Sequence, residues 1–253
     1  MTVGQGLAPA GATEMRNNRM KKLGIIGAMD VEVALLKEKL ENLTVVNRAG
    51  MFFFEGTLDG LDVVVVQCGV GKVNAALCVQ VLCDCFGVTA VVNTGVAGSL
   101  NAQLDIGDLV VSRDAMYHDM DVRIFGYTWG QVPGMPEAYG ADPRLVELAF
   151  GAAETVNPGH TKTGRIASGD QFVCTADQKQ TIIANTGALC TEMEGTAIAH
   201  AAYRNGIPFV ILRAISDKAD GSAEMEYPAF EAIAARRCAD VTCELVRRLK
   251  CSK

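Results

Sequence analysis

The sequence predicts an α/β protein, namely a three-layer α/β/α sandwich with a mixed, mainly parallel central sheet. Short apolar runs alternate with amphipathic stretches of helical period along residues 22–250. This alternation is typical of strands that are covered by helices on both faces. Of the 253 residues, 49% are hydrophobic and only 6% are aromatic. The core is therefore expected to be large and built from aliphatic side chains.

The individual elements follow from local patterns. Residues 22–27 predict a buried strand, and residues 31–43 predict a helix with one apolar face. The dipeptide Asp59-Gly60 predicts the turn of a hairpin. The other predicted elements are strands at residues 51–58, 61–67, 88–94, 108–113, 162–168 and 207–215, helices at 73–86, 176–184, 194–205 and 227–250, and a loop of small residues at 95–99.

The domain organisation is predicted to be simple. Residues 21–253 contain no linker and no internal repeat, and they predict a single domain. Residues 1–20 lack periodicity and are rich in Gly and Ala, which predicts a disordered N-terminal extension. Residues 117–139 form a long irregular stretch with aromatic residues, Pro133 and Pro136. Because such loops are uncommon inside compact domains, we expect this one to be functional or interfacial.

Composition excludes several classes of protein. With 23 basic and 29 acidic residues and no basic stripe, the chain is not expected to bind nucleic acid. No apolar run approaches the ~20 residues of a membrane span. Nine irregularly spaced cysteines predict reduced thiols in a cytoplasmic protein. The only close pair, Cys83 and Cys85, lies in a predicted helix, and we expect neither a metal site nor a cofactor.

A glycine-rich turn partly resembles a dinucleotide-binding fingerprint. The segment at residues 69–74, GVGKVN, follows a predicted strand and opens a helix, but its last position is Asn74 rather than Gly or Ala. The acid expected about 20 residues later is also missing. A nicotinamide cofactor is therefore not predicted, and a tight turn or a wall against a small ligand both remain open.

Acidic residues follow three apolar segments. Glu32 follows the first strand, and Asp217 ends the apolar run that begins at Pro208. Glu192 and Glu194 stand where an irregular segment gives way to a helical stretch. Each acid alone is compatible with helix capping. However, carboxylates beside a core are unfavourable unless something binds them, and ligands bind at the carboxyl ends of strands in such sheets. The sequence therefore predicts one acidic pocket.

Eight collinear motifs resemble the bacterial 5′-methylthioadenosine/S-adenosylhomocysteine nucleosidases, which belong to the purine nucleoside phosphorylase-like superfamily. The similarity covers the chain from about residue 21 to its C-terminus, and the motifs occur in order. They are GIIGAMDVEV (24–33), NTGVAG (93–98), YHDMDV (117–122), FGY (125–127), GQVPG (130–134), SGDQF (168–172), EMEGTAIAH (192–200) and RAISDKAD (213–220).

The resemblance implies a homodimer that cleaves the N-glycosidic bond of 5′-thio-substituted adenosines with water. It implies that Asp217 protonates adenine N7, with Ser216 nearby. It implies that Glu32 activates the attacking water, which Arg213 helps to hold, and that Glu194 binds the ribose hydroxyls. A proton from Asp217 requires a raised pKa, which neighbouring acids favour.

The same resemblance implies the substrate contacts. Phe172 would stack on adenine, although an isolated Phe is more often a core residue, and the Val173 backbone would bond the edge of the base. Phe125 and Pro133 would reach into the 5′ pocket of the neighbouring subunit. The other implied substrate-binding residues are Met29, Val70, Val96, Ala97, Gly98, Val122, Glu192, Met193 and Tyr227.

Two departures and three alternatives stay open at this point. Val96 stands where several relatives have Ser, and Tyr227 stands where relatives often have Phe. A phosphate-dependent nucleoside phosphorylase of the same fold is the first alternative, and Arg213 favours it. The second is a nucleoside-binding protein without catalysis. The third concerns the substrate, because methylthioadenosine, S-adenosylhomocysteine, 5′-deoxyadenosine and futalosine-type nucleosides all suit such a pocket.

Overall fold

The computed structural model describes residues 21–252, apart from the side chains of residues 224–226. The predicted extension over residues 1–20 lies outside the described residues. The strands are β1 (Leu23–Gly27), β2 (Glu41–Arg48), β3 (Met51–Leu58), β4 (Leu61–Gln67), β5 (Ala90–Ser99), β6 (Leu109–Tyr117), β7 (Tyr139–Gly140), β8 (Thr161–Ser168), β9 (Cys190–Glu192) and β10 (Phe209–Asp217). The helices are α1 (Asp30–Glu38), α2 (Lys72–Phe86), α3 (Pro143–Val156), α4 (Ala176–Thr186), α5 (Gly195–Asn205) and α6 (Ala223–Cys251), with a 3-10 turn at Arg123–Phe125.

The strands form one mixed sheet, in the order β10-β6-β8-β9-β5-β1-β4-β3-β2, with β7 beside β6. Strand β1 lies in the interior of the sheet, between β4 and β5, and is parallel to both. Strand β10 also pairs in parallel with β5, so that β5, β9, β8, β6 and β10 close on one another. The closure brings the ends of β5, β9 and β10 together. The predicted fold class, a mixed sheet with helices on both sides, is confirmed.

Aliphatic side chains bury both faces of the sheet. On one face, Leu36 of α1, Ala149 of α3 and Leu245 of α6 share a core with Leu23 and Ile25 of β1. On the other face, helices α2 and α5 pack against the alternate strand residues, which include Ile26. Successive residues of a strand point to opposite faces, so β1 contributes to both cores. This covering explains why the strands are continuous apolar runs.

The predicted helix over residues 31–43 is too long. Helix α1 ends at Glu38, and residues 41–48 form strand β2, which was not predicted. Strand β2 lies at the edge of the sheet and pairs with β3 alone. Its residues are almost all exposed, Leu43 and Val45 included. An exposed edge strand has no buried face to impose an alternating pattern, so the hydrophobic signal was absent.

The predicted loop at residues 95–99 is also wrong, because β5 continues through it to Ser99. The small residues there reflect crowding rather than a turn. A side chain at Gly95 would collide with the Glu32 carboxylate and the Arg213 guanidinium. A Cβ at Gly98 would lie 2.8 Å from Asp217 Oδ1. Glycine in this strand therefore makes room for charged side chains from three other segments.

One helix was missed, and another begins earlier than predicted. Helix α3 was missed, although Asp142 caps it by accepting a bond from Leu145 N at 2.9 Å and Pro143 occupies its first turn. Those are ordinary N-terminal signals. Helix α6 begins at Ala223 rather than residue 227 and contains Pro228. Because Pro is tolerated in the first turn of a helix, Pro228 gives no local sign that α6 begins earlier.

Candidate active site

A cavity opens to solvent where β1, β5, β9 and β10 end, and about 560 Å³ of space free of protein atoms lies in it when the open solvent at its mouth is included. The predicted residues that line it are Met29, Glu32, Val70, Val96, Ala97, Gly98, Phe172, Val173, Glu192, Met193, Glu194, Ser216, Asp217 and Tyr227. Three lining residues that sequence reasoning missed are Ala28, Gln171 and Thr191.

Four predicted site residues do not line this cavity in the described chain. Arg213 lies behind its floor and is only 1% exposed. Val122, Phe125 and Pro133 belong to the segment after β6, away from the cavity of their own chain. Phe125 is 75% exposed, and its neighbour Ile124 is 88% exposed. Ala28 and Gln171 lie inside two of the motifs and Thr191 directly precedes a third, but Ala, Gln and Thr are common residue types that carried no distinct chemical signal.

The Glu32 carboxylate is buried and held by backbone amides. Its Oε2 accepts bonds from Ala28 N at 2.7 Å and Met29 N at 3.0 Å, and its Oε1 accepts from Val96 N at 3.0 Å. It lies in the first turn of α1, where the helix dipole favours an anion. Burial raises the pKa of Glu32, while Arg213 and the three amides act in the opposite direction.

The hydrogen-bonding capacity of the Glu192 carboxylate is used by groups of the protein itself. Its Oε2 accepts from Glu194 N at 3.0 Å and from Gly195 N at 2.8 Å, at the start of α5. The same oxygen binds Arg213 Nη2, and its Oε1 accepts from the Ser168 hydroxyl. These contacts fix the chain that carries Glu194. They leave Glu192 poorly placed for a further bond to a ligand, although one edge of it borders the cavity.

Arg213 is the cation among the buried acids. Its Nη2 also donates to Asn93 Oδ1 at 2.5 Å, and it lies 3.9 Å from both Glu32 Oε1 and Glu194 Oε2. Burial alone would lower the pKa of Arg213, but the three nearby carboxylates outweigh it and raise the pKa. We call Glu32, Glu192, Glu194 and Arg213 the carboxylate cluster. With one cation for three acids, the cluster carries a net negative charge whenever two or more of its acids are ionised.

Glu194 stands at the N-cap position of α5 and points toward the glycine turn after β4. Its Oε1 accepts a bond from Gly71 N at 2.7 Å. Gly71 has a φ of 100°, which a residue with a side chain rarely adopts. Burial, and next the Glu192 charge, raise the pKa of Glu194 to about 7. The glycine turn therefore binds a protein carboxylate, which explains its incomplete resemblance to a dinucleotide fingerprint.

Asp217 lies at the end of β10 on the opposite wall. It is buried, and its Oδ2 accepts from the Ser216 hydroxyl at 2.9 Å, while its Oδ1 accepts from Ala219 N at 2.8 Å. The Ser216 hydroxyl is also 3.4 Å from the Ala97 carbonyl. The carboxyl is therefore oriented by its own strand and by the turn that follows it, with one edge toward the cavity.

Apolar and aromatic side chains cover the mouth of the cavity. The ring of Phe172 is 45% exposed and meets the ring of Tyr227 edge to face, with centroids 5.5 Å apart. Val70 and Met29 complete this wall. A half-exposed aromatic ring beside a cavity is not a core residue. The geometry therefore leaves its face available to a planar ligand.

The loops around the mouth are held to one another by ionic contacts. Lys72 Nζ lies 2.6 Å from Asp119 Oδ2, and Lys72 N donates to Asp170 Oδ1 at 2.9 Å. Asp170 N in turn donates to Asp119 Oδ2 at 2.9 Å. Three loops thus share one set of bonds, which positions Gly71 and Phe172 relative to each other.

Two further findings concern classes of function. Among the described side chains, which are those of residues 21–223 and 227–252, His, Cys, Asp and Glu form no group of three that could hold a metal ion. Over the same part of the chain, the helices lack the combination of length and hydropathy needed to span a membrane.

Comparison with known proteins agrees with the geometry. A model of the phosphorylase superfamily matches residues 22–247. The 5′-methylthioadenosine/S-adenosylhomocysteine nucleosidase of Staphylococcus saprophyticus is 43% identical over 230 residues, which cover 90% of this chain and all of the relative. The chain belongs to this nucleosidase family. The resemblance drawn from the eight motifs is thereby confirmed.

Solved structures of this nucleosidase family share the fold closely. The enzyme from Neisseria meningitidis, in complex with methylthio-immucillin-A, has a TM-score of 0.88 and 38% identity, covering 90% of this chain and 99% of that one. The enzyme from Colwellia psychrerythraea, in complex with adenine, has a TM-score of 0.87 and 40% identity, covering 91% and 96%. Both are similar to this chain over nearly its whole described length.

Proposed function

We propose that this protein hydrolyses the N-glycosidic bond of 5′-methylthioadenosine and S-adenosylhomocysteine, releasing adenine and the thioribose product. Membership of the nucleosidase family supports the reaction and the substrate class. The observation that carries the residue roles is the convergence of Glu32, Glu194 and Asp217, from three distant segments, on one cavity.

The chemistry of the bond favours these residues. As the ribosyl–adenine bond breaks, positive charge develops on the sugar and negative charge on the base. Fixed carboxylates stabilise such an oxocarbenium-like centre, most effectively in a site that excludes water. The carboxylate cluster supplies a negative potential that is already in place before the reaction, because its acids are held by backbone amides and Arg213.

Asp217 is assigned as the general acid. Adenine leaves readily only when a proton reaches N7, and the oriented carboxyl at the end of β10 can deliver it. The Ser216 hydroxyl, 2.9 Å from Asp217 Oδ2, fixes the carboxyl without neutralising it. Phe172 is assigned to stack on the departing base, and the Val173 backbone to bond its edge.

Glu32 is assigned as the base that activates water. Its buried carboxylate accepts hydrogen bonds from three backbone amides. Burial of an anion is unfavourable, so the carboxylate gains when it takes a proton from the water that attacks the sugar. Glu194 is assigned to the ribose hydroxyls, because its carboxylate is the one directed to the glycine turn at the side of the cavity. Val96 donates its backbone N–H to Glu32 Oε1, a contact that needs no serine hydroxyl at this position.

The site favours water over phosphate as the nucleophile. In the described part of the chain, the residues that line the cavity include neither lysine nor arginine. Arg213, which favoured a phosphorylase in the sequence, is bound to Glu192 and Asn93 behind the floor. A phosphate beside Glu32 would be repelled by several kcal/mol at a low effective dielectric, on the order of 4 kcal/mol at ~4 Å.

Adenine release in phosphate-free buffer tests the reaction. We expect turnover of methylthioadenosine and S-adenosylhomocysteine that added phosphate does not accelerate, with free thioribose as the second product. A strict requirement for phosphate, or release of a ribose 1-phosphate, would contradict hydrolysis. Including 5′-deoxyadenosine and futalosine in the same panel ranks the four nucleosides that the sequence left open.

We also propose that the active form is a homodimer in the cytoplasm. Phe125 and Ile124 are strongly exposed on the segment after β6, and Val73 and Leu77 are exposed on α2. Exposed apolar groups of this kind mark protein interfaces. Phe125, Val122 and Pro133 are assigned to the neighbouring subunit's 5′ pocket, since they lie outside the cavity of their own chain. The free cysteines support a reducing compartment.

A further inference from the structure

A tyrosine–glutamate pair stands at the apolar end of the cavity. The Tyr227 hydroxyl lies 3.0 Å from Glu231 Oε1 and 3.3 Å from Met29 Sδ. One hydroxyl carries one proton, and a carboxylate is a much stronger acceptor than a thioether. The hydroxyl therefore donates to Glu231, one helical turn further along α6. The phenolic oxygen keeps its lone pairs for a donor that arrives from the cavity side.

The hydroxyl stays protonated under all ordinary conditions. Burial raises the pKa of Tyr227, and the bond to Glu231 raises it further. The residue is thus a neutral acceptor that is polarised by the carboxylate behind it. A cationic donor would gain from both groups, whereas an anion would meet a lone pair backed by a negative charge.

Acidic side chains are the charged groups that act on the Tyr227 hydroxyl among the described residues. They are Glu231 and the more distant Glu32 and Asp217. Basic side chains of α6 are engaged elsewhere, since Arg236 Nε lies 3.4 Å from Asp240 Oδ2 and Arg237 Nη1 donates to the Gly107 carbonyl at 2.6 Å.

Within the proposed function, Asp217 holds the base and Glu194 the ribose, so the wall of Met29, Val70 and Tyr227 faces the 5′ substituent. We infer that the Tyr227–Glu231 pair makes this site select 5′-thio substituents that carry an ammonium group over those that carry only a carboxylate. The inference rests on the proposed function. Methylthioadenosine needs only the apolar part of the wall, while the amino-acid tail of S-adenosylhomocysteine presents its ammonium to the pair.

The test uses the full-length protein and two synthetic substrates of matched length. These are the 5′-(2-aminoethylthio) and 5′-(carboxymethylthio) analogues of 5′-deoxyadenosine, measured beside methylthioadenosine and S-adenosylhomocysteine. We expect kcat/KM to favour the ammonium analogue by about tenfold in the parent protein. Glu231→Gln and Tyr227→Phe should each bring this ratio close to one. Asp240→Asn removes a negative charge elsewhere on α6 and serves as the matched control, with the ratio retained.

The outcomes separate the inference from the function it rests on. Adenine release from methylthioadenosine together with equal kcat/KM for the two charged analogues would overturn the inference alone. A preference that persists in both Glu231→Gln and Tyr227→Phe would overturn it as well. Absence of adenine release from every nucleoside would overturn the proposed function, and the inference with it. Two independent variants keep the test decisive if one of them folds poorly.

Discussion

The carboxylate cluster and the segment at residues 118–138 differ sharply in how far their side chains are exposed to solvent. In the cluster, every charged side chain is buried and bonded to backbone or to another charge, and Arg213 is 1% exposed. In the segment, Phe125 and Ile124 lie largely in solvent, and the only regular structure is one 3-10 turn. The cluster is complete within one chain. In the proposed homodimer, a second copy of the chain would cover this exposed apolar segment.

The first prediction tests whether the buried acids act chemically or only structurally. Asp217→Asn keeps the shape of the side chain and removes its acidic proton. We expect the rate of adenine release to fall by roughly 10²–10⁴-fold, the usual contribution of a general acid. Binding of adenine, measured by calorimetry, should persist. A rate within a few-fold of the parent protein would remove Asp217 from the mechanism.

The second prediction compares a buried ion pair with a surface one. Glu192→Gln leaves Arg213 without its closest carboxylate and weakens the bonds at the start of α5. Breaking a buried pair in this way costs about 3–5 kcal/mol in the free energy of unfolding. Asp240→Asn, which removes a surface pair with Arg236, should cost less than about 1 kcal/mol. Urea unfolding at pH 7 measures both, and equal losses would contradict the difference.

The third prediction uses the raised pKa of Glu194. The folded protein holds this proton up to about pH 7, whereas the unfolded chain releases it near the ordinary glutamate pKa of 4.5. The contribution of Glu194 to the free energy of unfolding is therefore fully present below pH 4.5 and is lost as the pH rises through 7.

Glu194→Gln removes that loss, because an amide does not ionise. The variant should be more stable than the parent at pH 8, by on the order of 1–3 kcal/mol, and the gain should vanish near pH 4. Thermal unfolding across this pH range measures the effect, while adenine release should be almost abolished. A gain that is the same at both pH values would show that the Glu194 charge is not the cause.

The fourth prediction concerns the exposed segment. Phe125→Ala should raise the dissociation constant of the proposed dimer by about tenfold, as expected for one interfacial aromatic side chain. Activity per chain should then fall on dilution. Sedimentation velocity and activity over the same concentrations measure both quantities. Phe150→Ala, on α3 and only partly exposed, is the matched control, and an equal effect there would argue against an interface at Phe125.

The site could be predicted from the sequence to the extent that its residues follow strands. Glu32 and Asp217 stand at the ends of apolar runs, whereas Glu194 opens an apolar helical stretch, and the carboxyl ends of parallel strands meet at one edge of the sheet. The family motifs then assigned a role to each acid. The motifs gave Glu194 the ribose hydroxyls and placed Glu192 among the other substrate-binding residues, but they did not show how differently the two carboxylates are bonded. The two lie on the same short stretch, but one is saturated by internal bonds and the other faces the glycine turn.

By itself, the sequence determined the α/β class, the order of most strands and helices, and the acids that meet at the cavity, because buried strands and capped helices leave periodic local patterns. Only the tertiary structure decided that residues 41–48 form an edge strand and that Gly95 makes room for Arg213. It also decided that Arg213 pairs with the buried carboxylates and does not line the cavity. Those features depend on neighbours that are distant in sequence. Burial and charge pairing act between such neighbours, and no local pattern records them.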